Sequence, residues 1–131
     1  MIAAYHDPAL IKKIFVVDDK ETNLAVAREA LNNDYSVLCM TSADRMFKLL
    51  EKMIPDLILL DIEMPLMSGI EALKHIRTSE NEKIRDLKVV FLTSHGSDGN
   101  VISAHKYQAQ GFILKPFDPA TLRKKIAELV D

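Results

Sequence analysis

The sequence predicts an α/β fold: a doubly wound, five-stranded parallel sheet of (βα)5 order, with helices on both faces in a three-layer sandwich. Three observations lead there. Short β-branched or aliphatic runs alternate five times with longer stretches of helical spacing. The second, third and fourth runs are continuously apolar, as strands covered on both faces must be. Right-handed crossovers between such strands then place helices on both sides of one sheet.

Taken in order, strands are expected at Ile14 to Val17, Val37 to Met40, Leu57 to Leu60, Val89 to Leu92 and Phe112 to Leu114. The first helix is marked by Leu24, Ala27 and Leu31, and the second by Met46, Leu50, Met53 and Ile54. Ile70, Leu73 and Ile76 mark the third; Val101, Ala104 and Tyr107 mark a weaker fourth; Leu122, Ile126, Leu129 and Val130 mark the fifth. Each set repeats near i, i+3, i+4, i+7, the period of one helix face. Ser68 followed three residues later by Glu71 is a capping-box pattern for the third helix. Asp118 before Pro119 suits the start of the fifth, and Asp7-Pro8 a short extra helix over residues 8–11. Residues 1–12 read as an N-terminal extension and residues 13–131 as one domain.

The composition narrows the function. The chain has 131 residues, 48% apolar and 27% charged, which fits one globular domain. A chain of this size buries roughly two thirds of its unfolded surface and folds without staples. With 17 basic and 19 acidic residues the net charge is −2, so no field attracts nucleic acid or an anionic membrane, and neither is expected as a partner. Cys39 is the single cysteine and cannot form an internal disulfide. No apolar run exceeds five residues. A soluble domain in a reducing, cytoplasmic compartment is the expectation. The histidines at 6, 75, 95 and 105 lack H-x-x-x-H spacing, and the four glycines form no nucleotide loop.

In a doubly wound sheet the working site lies beyond the carboxyl ends of the strands. Here the first strand ends in Asp18-Asp19, the third in Asp61, the fourth in Thr93-Ser94 and the fifth in Lys115-Pro116. Taken singly, each has a plain reading: a helix cap for the acidic pair, a turn residue for Asp61, a loop hydroxyl, a solvated lysine. Taken together on one rim, three carboxylates repel one another unless a cation joins them. An oxygen-only, incomplete ligand shell suits Mg²⁺, with Mn²⁺ as an alternative. An aspartate nucleophile, a metal, a lysine and a hydroxyl are the groups that phosphoryl transfer to a carboxylate requires.

These motifs carry a resemblance. Val16-Val17-Asp18-Asp19, then Asp61-Ile62-Glu63-Met64-Pro65-Leu66-Met67-Ser68-Gly69, then Thr93-Ser94, then Gly111-Phe112-Ile113-Leu114-Lys115-Pro116-Phe117 resemble the receiver domain of a two-component response regulator, a flavodoxin-like fold, over roughly residues 13 to 130. The resemblance implies that Asp61 accepts a phosphoryl group from a sensor histidine kinase or phosphotransfer protein. It implies that Asp19 holds Mg²⁺ directly, Asp18 through water, and that Asp61 and the Glu63 backbone carbonyl are further ligands. It implies that Thr93 and Lys115 bind the phosphoryl oxygens, that Phe112 is the switch aromatic, and that the Lys115-Pro116 peptide is cis. The face built by the fourth helix, fifth strand and fifth helix would then be reshaped to control an effector domain or target protein, with a phosphorylation-dependent dimer as one outcome. The domain would catalyse its own phosphorylation and lose the group slowly. Glu63 and His95 would stand at the positions that flank the phosphoryl group and tune that loss; on this chain the two side chains are expected either to pair across the mouth of the site or both to point to solvent. Before modification, Lys115 is expected to lack a phosphoryl partner and the three carboxylates to stand unopposed.

Two departures matter. Many such domains have Gly seven residues before the lysine, where this chain has Gln108, so the fourth helix is expected to end irregularly or later. An Asp-Asp pair that often supports a dimer is replaced by Gln110 and Gly111. Two other readings use similar groups: an aspartate-nucleophile phosphohydrolase, and a receiver-like module that binds without being phosphorylated. The hydrolase pattern puts its nucleophile after the first strand, and the intact set of five site residues disfavours the second. The pattern ends with the fifth helix, which suits a stand-alone domain that docks or a part of a longer protein.

Overall fold

The computed structural model describes residues 11–94 and 105–131. In chain order these form β1 (Lys13–Val17), α1 (Glu21–Leu31), β2 (Ser36–Met40), α2 (Ala43–Leu50), β3 (Leu57–Asp61), α3 (Gly69–Arg77), a one-turn α4 (Glu82–Arg85), β4 (Val89–Thr93), β5 (Gly111–Leu114) and α5 (Pro119–Val130). All strands are parallel, in the order β2-β1-β3-β4-β5. The order reverses between β1 and β3, so the carboxyl ends of these two strands lie side by side.

Alternation along each central strand divides the core in two. Phe15, Val17, Ile58, Leu60, Val89 and Phe91 face α2 and α3, meeting Met46, Leu50, Leu73 and Ile76. Ile14, Val16, Leu57, Leu59, Val90 and Leu92 face α1 and α5, meeting Leu24, Ala27, Leu31, Leu122 and Ile126. β3 and β4 are fully buried, as their unbroken apolar runs predict, and so is β1 beyond its first residue; β2 corrects the expectation, because despite its apolar run it is a partly open edge strand, as β5 is.

The start signals act as expected. Ser68 and Glu71 form a reciprocal capping box on α3. Asp118 caps α5 through Thr121 N, with Pro119 in the first turn. The second helix is shorter than its apolar spacing suggests. It ends at Leu50, with Met53 and Ile54 outside it; Pro55 disfavours helical backbone at Ile54, so the helix does not run on through the apolar spacing. Met53 still packs on the core, so the spacing records burial rather than helix. The turn α4, capped by Asn81, was not anticipated; four residues are too few for a period to show. The short helix expected over residues 8–11 and the start of the helix marked by Val101 and Ala104 lie outside the described residues.

Gly69 shows why the long motif after β3 needs glycine. Its N–H donates to Ile62 O at 2.8 Å, and a Cβ at this position would overlap the Asp61 carbonyl oxygen. We expect Gly69→Ala to destabilise the domain by about 1–3 kcal/mol through this overlap, measured by urea unfolding; unchanged stability would mean the loop has slack.

Candidate functional site

The strand ends deliver their polar groups to one rim. Asp18 follows β1, Asp61 closes β3, Thr93 closes β4, and Lys115 follows β5. The Asp18 side chain is fully buried. Its Oδ1 accepts from Lys20 N at 2.9 Å; its Oδ2 accepts from Asn23 Nδ2 at 3.1 Å and from Lys115 Nζ at 3.0 Å. Asp61 Oδ1 accepts from the same Lys115 Nζ at 2.8 Å and from Glu63 N at 3.3 Å. Thr93 is buried beside them, and its carbonyl accepts from Lys115 N at 2.8 Å. The Lys115-Pro116 peptide is cis.

This corrects the expectation that the carboxylates are unopposed before modification. Lys115 already bridges Asp18 and Asp61: it follows β5, which runs parallel beside β4, and its long side chain reaches past β4 to the ends of β3 and β1. The plain reading of Asp18 as a cap is half realised: it does bond the backbone at the entrance to α1, through Lys20 N, while its other oxygen belongs to the ion pair.

One ammonium does not neutralise the site. Asp18, Asp19 and Asp61 each bring a carboxylate oxygen within 4.8 Å of the others. Asp19 Oδ1 is buried and, among the described residues, has no hydrogen-bond partner. An orphaned buried carboxylate oxygen is costly, and beside two further carboxylates it has the chemistry of a divalent-cation ligand. The residues therefore fit Mg²⁺, a hard cation that takes few protein oxygens and keeps waters.

The same crowding sets the protonation of Asp61. Burial pushes its pKa up, the Lys115 hydrogen bond pulls it down and the Asp18 charge pushes it up again, leaving it raised to about 6. Burial pulls Lys115 down, but its bonds to Asp61 and Asp18 outweigh this and leave its pKa raised, so the ammonium stays charged. An acid whose folded pKa exceeds its unfolded value of roughly 3.9 holds its proton more tightly when folded. In EDTA, stability should therefore fall as pH rises from about 4 to about 6 and level off above. Asp61→Asn should lack this slope and gain on the order of 2 kcal/mol over wild type above pH 6. Urea unfolding across that range checks it, and parallel profiles would contradict it.

Glu63 is exposed in the loop after β3, and its N–H donates to Asp61 Oδ1. Phe112 is half-buried on β5, its ring 6.0 Å from that of Phe91 at 36°. His95, and so the expected pairing of Glu63 with His95, lies outside the described residues. Two side chains hold roles that the sequence does not announce, Asn23 at the site and Arg77 away from it. Asn23 is spaced as an ordinary polar helix residue, and only its distance of five from Asp18 hints that it turns back to that carboxylate. Arg77 ends α3 and bonds three backbone carbonyls, a role with no sequence signature.

An all-parallel sheet in this order, with carboxylates where the order reverses, is the architecture of receiver domains. The family described as "Response regulator receiver domain" matches residues 14–127, and the chain belongs to it. Among its relatives, the chemotaxis protein CheY-3 of Vibrio cholerae is 31% identical over 122 residues, covering 91% of this chain and 92% of that protein. The regulatory protein LuxO of the same species is 41% identical over 69 residues, which is 53% of this chain and 14% of LuxO. The solved structure of CheY4 of V. cholerae superposes with a TM-score of 0.83 at 25% identity, covering 91% of this chain and 98% of that one. The chain is thus a receiver domain of two-component signalling, and among its described residues no helix is long and apolar enough to cross a membrane.

Proposed function

We propose that this receiver is a phosphorylated switch in which Asp61 accepts a phosphoryl group from a sensor histidine kinase or phosphotransfer protein. The observation that carries the reading is the bridge of Lys115 between Asp61 and Asp18 beside the unpartnered oxygen of Asp19. An Asp61 oxygen attacks the phosphorus of a phosphohistidine; the P–O bond forms as the P–N bond breaks, and the departing imidazole nitrogen takes a proton. Asp19, Asp61 and the Glu63 carbonyl would hold Mg²⁺ or Mn²⁺, with Asp18 behind them. When bound, the cation offsets the charge gathered on the phosphoryl oxygens. Lys115 can exchange an Asp61 oxygen for a phosphoryl oxygen without leaving Asp18. Thr93 donates to another phosphoryl oxygen, and its inward movement couples to Phe112, which rests on Phe91 across the β4–β5 pair. A group carrying about −1.5 to −2 charges biases this two-state face toward an effector or target protein, or toward a dimer. Attack by water on phosphorus releases phosphate and restores the carboxylate.

Incubation with acetyl phosphate tests the reading. With Mg²⁺ the intact mass should rise by one phosphoryl group, and EDTA should prevent it. Asp61→Asn should remove the gain entirely; a persisting gain would place the acceptor elsewhere, and steady release of phosphate without accumulation would favour a hydrolase. Asp18 is already satisfied by three donors while Asp19 is not, so Asp19→Ala should weaken Mg²⁺ binding by more than about tenfold and Asp18→Ala by less. Titration calorimetry with the reverse order would overturn the ligand assignment.

A further inference from the structure

Arg77 lies at the far end of α3 from Ser68, the end that points away from the acidic rim, yet among the described residues it is the most heavily engaged cation outside the site. Its Nε donates to Tyr107 O at 2.8 Å, its Nη2 to Gln108 O at 2.9 Å and its Nη1 to Arg85 O at 2.9 Å. One half-buried guanidinium thus closes two helical ends together: the end of α4, and the end formed by helical His105 and Lys106. Terminal carbonyls of a helix are unsatisfied by the helix itself, and a planar fork of donors serves several of them at once.

Gln108 explains why the second end needs this grip. Its φ is +60°, the left-handed conformation that glycine adopts cheaply and a side chain resists. Gln108 N donates to His105 O at 3.1 Å, so the strained residue closes the turn. Two residues later Gln110 is fixed to the start of β4 by a pair of bonds: its N–H donates to Val89 O at 2.8 Å, and its Oε1 accepts from Val89 N at 2.7 Å. From there β5 runs directly to Phe112 and Lys115. Arg77, Gln108 and Gln110 therefore fix where β5 begins, and with it how far Lys115 reaches.

We infer that Arg77 is a positioning residue of the switch: by holding the Tyr107 and Gln108 carbonyls it pins the entrance to β5, so that Lys115 and Phe112 respond to a phosphoryl group from a fixed base. The inference rests on the switch reading proposed above. It accounts for a residue other than glycine at 108, since the guanidinium supplies the hold that an unstrained turn would otherwise give.

The test uses the whole chain, wild type and four variants: Arg77→Ala, Arg77→Lys, Gln108→Gly, and Arg77→Ala combined with Gln108→Gly. Amide exchange at Gln108 and Gln110 is read in the metal-free protein. Fluorine NMR of fluorophenylalanine at Phe112 is followed during titration with beryllofluoride and Mg²⁺, beryllofluoride being a phosphoryl mimic. Arg77→Ala should speed exchange at both amides and weaken beryllofluoride binding by roughly tenfold. Arg77→Lys, the milder change should Arg77→Ala fold poorly, should resemble it, because one ammonium cannot serve three carbonyls. Gln108→Gly alone should respond as wild type, and the double variant should recover most of the lost affinity. Lower thermal stability in the Arg77 variants with wild-type beryllofluoride affinity would reduce Arg77 to a structural cap and overturn the inference, as would a double variant no better than Arg77→Ala. A wild-type Phe112 signal that does not move at all would instead overturn the switch reading, and the inference with it.

Discussion

The Lys115 ammonium held between Asp18 and Asp61 is the interaction on which the rest of the site depends. Two carboxylates side by side at the ends of β1 and β3 are mutually repulsive, and burial makes the repulsion stronger because little water screens it. Lys115 reconciles them at 3.0 and 2.8 Å. It does so incompletely, since Asp19 adds a third carboxylate oxygen with no partner among the described residues. The resulting site is short of positive charge by design of its strand order: attractive to a divalent cation, and holding Asp61 at a pKa near 6, closer to protonation than a solvated aspartate. The same lysine is bonded through its own N–H to the Thr93 carbonyl. A change of partner at its ammonium is therefore felt along the β4–β5 edge.

The sheet makes this geometry possible. Reversal of strand order between β1 and β3 puts the two acidic ends together, and the close approach of Gly69 to the Asp61 backbone keeps the loop after β3 folded tightly over the site. On the opposite side of the signal, Arg77 and Gln110 hold the start of β5 to α3 and β4. The strand that carries Phe112 and Lys115 is anchored at its beginning and charged at its end. A chemical event at the rim is then met by an element with one fixed point.

Much of this was legible in the chain. The unbroken apolar runs of β3 and β4 arise because both faces of those strands are covered, and the polar residue that ends each run marks the rim. The capping box at Ser68 and the cap at Asp118 read correctly because they are local, requiring only residues three apart. What could not be read is what depends on distant pairing. The bridge from Lys115 to Asp61 spans 54 positions, and no local pattern says that the lysine reaches two carboxylates at once. Arg77 bonds to backbone carbonyls, which every residue has, so its partners leave no trace in the sequence. The second helix was read too long because Met53 is buried after the helix has ended, and burial is what periodicity detects. Gln108 departs from the glycine pattern yet keeps the glycine's conformation under the grip of Arg77.

The claim that Lys115 only partly neutralises a site built for a further cation is tested most directly by titrating Mg²⁺ into wild type and Lys115→Ala. Calorimetry should be run well above the pH at which Asp61 takes up its proton. If the ammonium and the metal share the same carboxylate charge, removing the ammonium should tighten Mg²⁺ binding by about tenfold or more. Equal or weaker binding by Lys115→Ala would show that the lysine does not compete for that charge, and the account of the site would fail.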